Sequence, residues 1–153
     1  MTAMPEVPRE DTLNIPDSRG LNLYTCDPAL ERLLEVYLPP ALLAEWRPLL
    51  ERLGARAGGE LDVLALAADK NPPVLAPRPR RGEDLQSIRE HPDYVALERV
   101  AYAELGLASM SHRPDGPPPL VKYALTHLFV QAEFGLCCPV SMTDSLTLSL
   151  IHI

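Results

Sequence analysis

Val121-Lys-Tyr-Ala-Leu-Thr-His-Leu-Phe-Val-Gln-Ala132 decides the fold class. Val121, Ala124, Leu125, Leu128, Phe129 and Ala132 recur at steps of three and four residues, which lines one face of an α-helix. Pro114, Asp115, Gly116 and the three prolines after them form a linker that sets the start of this helix. Downstream, Phe134-Gly-Leu-Cys-Cys-Pro-Val-Ser-Met-Thr-Asp-Ser145 reads as a helix end, a short break and the start of another helix.

Upstream the same pattern repeats. Asp27 suits an N-cap and Pro28 a first helical position, where its missing N–H costs nothing. Leu30, Leu33, Leu34, Tyr37 and Leu38 follow as one apolar face, and Pro39-Pro40 ends it. Leu42, Leu43 and Trp46 begin a second helix, which Leu49, Leu50 and Leu53 continue beyond Pro48. The pattern leaves open one kinked helix or two short ones. Glu60 to Ala68 is apolar on most sides, which predicts a helix buried centrally. Asn71-Pro72-Pro73 stops it, and Val74 to Gly82 reads as the longest loop. A short helix is expected over about Asp84–Glu90, then a longer one that starts at His91-Pro92 and carries Tyr94, Leu97, Val100, Ala101 and Leu105. Alternating strand patterns and hairpin dipeptides between apolar runs are lacking, so the region reads as all-α.

Composition narrows the function classes. The chain has 153 residues, room for one domain, and 46% apolar with 23% charged residues marks a soluble globular protein. A net charge of −7 argues against a nucleic-acid-binding module in this portion. There is no run of roughly 18 apolar residues to span a membrane, and the first residues lack the order of a signal peptide. A cytoplasmic location is the expectation.

Individual residues offer little chemistry. His91 reads as a helix cap, His112 as an exposed linker residue, and His127 as facing solvent or a partner. The histidines lack the partners a metal site needs. Cys137 and Cys138 could form a reactive thiol pair, but buried small residues between helices is the plainer reading. Arg78, Arg80 and Arg81 could meet a phosphate; solvated loop charge explains them more simply. Glycine-rich phosphate loops are absent.

The order of short fragments says more. Asn22-Leu23-Tyr24 precedes the first helix, Asn71-Pro72-Pro73 follows the third, and then come Ile88-Arg-Glu-His91-Pro92 and Cys138-Pro139-Val-Ser-Met142-Thr143. Together they resemble the N-terminal helical domain of the adaptive-response (AidB-type) branch of the acyl-CoA dehydrogenase flavoproteins, over about Asn14 to Ser145. Lys70, before the Asn-Pro-Pro turn, departs from the Val or Ile expected there.

The resemblance implies an all-α domain without the β-barrel and C-terminal four-helix bundle that complete that fold. It divides the chain into an extended arm over 1–21, the helical domain over 22–147 and a tail over 148–153. The tail Leu148-Ser-Leu-Ile-His-Ile153 also matches one frame of a transposon-end sequencing adapter, CTG TCT CTT ATA CAC ATC, so the chain reads as a gene fragment ending in translated adapter. In the full-length protein the resemblance implies FAD, an acyl-CoA-like substrate, homo-oligomers and DNA contact through a C-terminal region. For residues 1–153 it implies no flavin, no metal and no catalytic residue. It nominates Val140, Met142 and Thr143 as lining an acyl pocket. The rival readings are a free-standing helical interaction or oligomerisation module, and a DNA-protective protein with vestigial dehydrogenase chemistry.

Overall fold

The computed structural model describes residues 17–76, 78–84 and 86–151. Residues 1–16 of the expected arm, and His152 and Ile153 of the expected tail, lie outside the described residues. The order is α1 (Pro28–Tyr37), α2 (Pro40–Ala57), α3 (Glu60–Asp69), β1 (Val74–Ala76), β2 (Ser87–Arg89), α4 (Pro92–Glu98), α5 (Pro119–Ala132) and α6 (Cys137–Ile151). A π-helical turn over Arg99–Glu104 prolongs α4, and a short 3-10 turn covers Met110–His112. The all-α class holds.

α5 is the central element. Val121, Leu125, Leu128 and Phe129 are fully buried, each contributing about 1.5–3 kcal/mol of apolar burial. The helix packs chiefly on α2, with α1, α3 and the 3-10 turn at its flanks. Its companion α2 runs unbroken through Pro48, which settles the question the pattern left open.

Local chemistry sets the boundaries. Asp27 Oδ1 accepts the N–H groups of Ala29 and Leu30, both at 3.0 Å, and so caps α1. His91 Nδ1 accepts the Asp93 N–H at 3.3 Å and caps α4, as its place before Pro92 led us to expect. Asn71 Nδ2 donates to the Ala67 carbonyl at 2.8 Å, closing the end of α3 before the two prolines.

Asn22-Leu23-Tyr24 is clamped onto α2. Asn22 Nδ2 donates to the Glu51 carbonyl at 3.0 Å, Asn22 Oδ1 accepts from the Tyr24 N–H at 3.0 Å, and the Leu23 N–H reaches the Gly54 carbonyl at 3.0 Å. Gly54 is required here, because a Cβ would overlap the Asn22 side chain and the Tyr24 backbone.

Several expectations need correction. Asp84–Glu90 is not helical: Ser87–Arg89 forms β2, antiparallel to β1, with Val74 opposite Arg89, Leu75 opposite Ile88 and Ala76 opposite Ser87. That stretch has too few apolar positions to make a helix face, and two three-residue strands are too short to show a period. α3 is not buried on most sides; Leu61, Ala65 and Ala68 face the core while Val63 and Leu66 are exposed. The α1 face is narrower than expected, since Leu34 and Leu38 are buried but Leu33 and Tyr37 are not. Cys138 is exposed and Cys137 half-buried, so neither is a core residue.

Candidate functional site

The nominated residues lie on α6. Val140 is buried in the core, whereas Met142 is 67% exposed and Thr143 also faces outward. The structure therefore separates the three: Val140 anchors the helix, and the other two lie on its open side. Leu146 and Leu150 continue that side at steps of four from Met142, with Leu148 also exposed. No charged side chain interrupts α6 from Cys137 to Ile151 except Asp144.

Asp144 faces inward, one helical turn beyond Val140, and is 4% exposed. Lys122 of α5 places Nζ 2.8 Å from Asp144 Oδ2 and is itself buried. Tyr123 Oη donates to the same oxygen at 3.2 Å. His112, from the 3-10 turn, sets Nε2 3.0 Å from Asp144 Oδ1. The Lys122 ammonium also lies 4.3 Å from the Tyr123 ring centre. Burial pushes the Asp144 carboxyl up, but the Lys122 hydrogen bond and charge, with the Tyr123 and His112 hydrogen bonds, outweigh it and hold the carboxyl below its usual value. The charge of Asp144 first, then burial, raises the Tyr123 phenol.

Two elements, α5 and the 3-10 turn, thus converge on one carboxylate of α6 and fix its height and rotation. This cluster positions α6 against the core. Sequence reasoning missed Lys122, Tyr123 and Asp144, and took His112 as simply exposed, whereas its side chain is only 16% exposed. A signal was present. Lys122 and Asp144 are the sole fixed charges within two otherwise uncharged, apolar helices, and they are opposite in sign.

The other sequence fragments meet elsewhere. Asn71-Pro72-Pro73, His91, Tyr94 and Glu133 line a crevice of about 300 Å³ between the ends of α3 and α5 and the start of α4. His127 lies on the solvent side of α5, 3.8 Å from Asp27 Oδ2. Among the described residues no cluster of His, Cys, Asp and Glu could hold a metal ion. No helix there is long and apolar enough to cross a membrane.

A family model described as the adaptive response protein AidB N-terminal domain matches residues 14–152. The chain belongs to this family. A solved structure, "Bd2924 apo-form", matches the AidB N-terminal domain described above with a TM-score of 0.77 at 28% identity, over 86% of this chain. The match covers 26% of that chain, so the domain spans about a quarter of that relative's length. No curated protein matches. The fragments that carried the resemblance are thus largely folding devices of an AidB N-terminal domain: a clamp on α2, a stop for α3 and a start for α4.

Proposed function

We propose that this chain is the N-terminal helical domain of a longer, FAD-dependent, acyl-CoA dehydrogenase-like protein of the DNA alkylation response, and that α6 offers one wall of its acyl pocket. One observation carries the reading. α6 is locked by a buried Asp144–Lys122 pair while its outward side is free of charge and presents Met142, Leu146 and Leu150 among Thr143 and exposed serines. Such a surface suits a hydrocarbon chain, and a fixed helix presents it in one register.

The residues present do not fit the flavin itself. The α6 face has no cation and no array of N–H donors for a pyrophosphate, and the exposed arginines near β1 and β2 belong to a different element. In this reading flavin chemistry, the catalytic base, the homo-oligomer contacts and any DNA contact belong to the rest of a cytoplasmic protein. Residues 1–153 alone then hold no FAD and turn over no acyl-CoA; stoichiometric yellow flavin purifying with them would refute that.

Met142→Trp in the longer protein tests the pocket. It should weaken binding of long-chain acyl-CoA by about tenfold or more through overpacking, with flavin content unchanged. Unaltered acyl-CoA affinity would remove α6 from the pocket wall. A free-standing interaction module is the second reading, favoured by the exposed Val36, Tyr37 and Phe134. A reading frame that carries flavin-binding sequence with this domain decides against it.

A further inference from the structure

Two sulfur atoms meet on the open side of α6. Cys138 and Met142 are four residues apart, so they stand one above the other on the same face of the helix. The Cys138 thiol donates to the Met142 thioether at 3.5 Å. Both side chains are exposed. The other described methionine, Met110, is buried, so Met142 is the thioether this surface offers. Cys137 turns to a different side of α6, with Sγ 3.8 Å from Ser141 Oγ. Cys26, exposed before α1, belongs to another part of the chain.

The donor set is soft. Thiolate and thioether sulfur select copper(I), whereas harder ions take carboxylate, carbonyl and water oxygens. Hard donors are engaged elsewhere. Asp144, the sole carboxylate of α6, is buried and held by Lys122. Glu133, before the helix, accepts the Gly135 N–H. Among the described residues no three His, Cys, Asp and Glu side chains gather to hold a metal ion, so the fuller ligand set of a zinc site is not assembled. Leu146, the next exposed residue on this side of α6, supplies an apolar neighbour instead. Val140 and Asp144 anchor the helix from behind, and the backbone therefore sets the spacing of the two sulfurs.

We propose that Cys138 and Met142 form a surface site for a soft monovalent metal ion, copper(I). On binding, the Cys138 thiol gives its proton to solvent and its sulfur bonds the ion. The Met142 sulfur donates a lone pair to the same ion, and no electron is transferred because the metal arrives as copper(I). The site departs from the expectation of no metal, which rested on histidine and zinc spacing and left thioethers aside. The inference stands apart from the flavin and acyl-pocket reading and survives its failure.

Anaerobic titration of the reduced 153-residue chain with copper(I), in competition with bicinchoninate, tests it. Cys26→Ser with Cys137→Ser gives the parent, in which Cys138 is the one thiol left. One copper(I) per chain is expected, with a thiolate-to-copper absorption in the ultraviolet and one proton released per ion. On that parent, Cys138→Ser should abolish the site. Met142→Leu keeps the apolar bulk and removes the sulfur. It should weaken binding by about tenfold or more, since even outer partners of a metal site are worth about 10–100-fold in affinity. Both positions are exposed, so helical content and melting should not change, which assigns the loss to the site itself. Three outcomes would overturn the proposal: no copper(I) held against the competitor, Met142→Leu binding as tightly as the parent, or one copper(I) shared by two chains through their thiols alone.

Discussion

Asp144 is buried with Lys122, Tyr123 and His112 around it, and the balance among them makes it the residue on which α6 depends. Removing one partner of such a pair leaves an uncompensated buried charge, at a cost of about 3–5 kcal/mol. Asp144→Asn should therefore lower thermal stability steeply and speed hydrogen exchange along α6. An unchanged melting temperature with unchanged α6 exchange would show that the pair holds nothing. The double change Lys122→Met with Asp144→Leu should recover most of the loss, because an apolar pair avoids the desolvation of both ions. The pH dependence has a definite sign. The folded carboxyl titrates below its unfolded value near about 3.9, so its contribution is complete above that value and is lost as pH falls through the lower, folded one. Acid unfolding of the native chain should accordingly show a component that Lys122→Met with Asp144→Leu lacks. Identical acid profiles for the two would contradict this.

The packing of the helices turns on small residues as much as on leucines. Gly54→Ala in α2 should destabilise by about 1–3 kcal/mol, since its Cβ would press on Asn22 and the Tyr24 backbone; a melt unchanged by the substitution would mean the Asn22–Tyr24 clamp yields freely. Elements were legible in the sequence where a period or a stop was strong. The stripe from Val121 to Ala132 specified α5, Pro39-Pro40 and Asn71-Pro72-Pro73 marked helix ends, and His91-Pro92 marked a start. The ribbon was not legible, because Val74–Ala76 and Ser87–Arg89 are three residues each and take their conformation from one another across a long connection. α3 was misjudged for a related reason. An apolar composition shows that a helix can be covered on most sides, and not which sides have neighbours; α5 took the centre and left Val63 and Leu66 outside. In the candidate site Met142 and Thr143 were named from resemblance, while Asp144, beside them in the chain, went unread. Its role depends on where Lys122 lies, which no spacing within α6 reveals.

At the scale of the molecule, the domain has one core around α5 and several apolar surfaces outside it. Val36 and Tyr37 on α1, Phe134 before α6, and Met142, Leu146 and Leu150 on α6 are all more than half exposed. Scattered exposed leucines are ordinary, but an aligned apolar side on a helix held rigidly from behind has the form of a surface meant to be covered. α6 makes few contacts with the other elements. Val140 and Asp144 tie it to the core, and helix continues to Ile151. Hydrogen exchange on α6 tests the central claim most directly, comparing residues 1–153 alone with the proposed longer flavoprotein, with and without long-chain acyl-CoA. The account predicts that α6 amides beyond Asp144 exchange markedly more slowly in the longer protein and slower still with acyl-CoA, while α5 is equally protected in all states. Exchange along α6 that is the same in the domain, the longer protein and its acyl-CoA complex would contradict it.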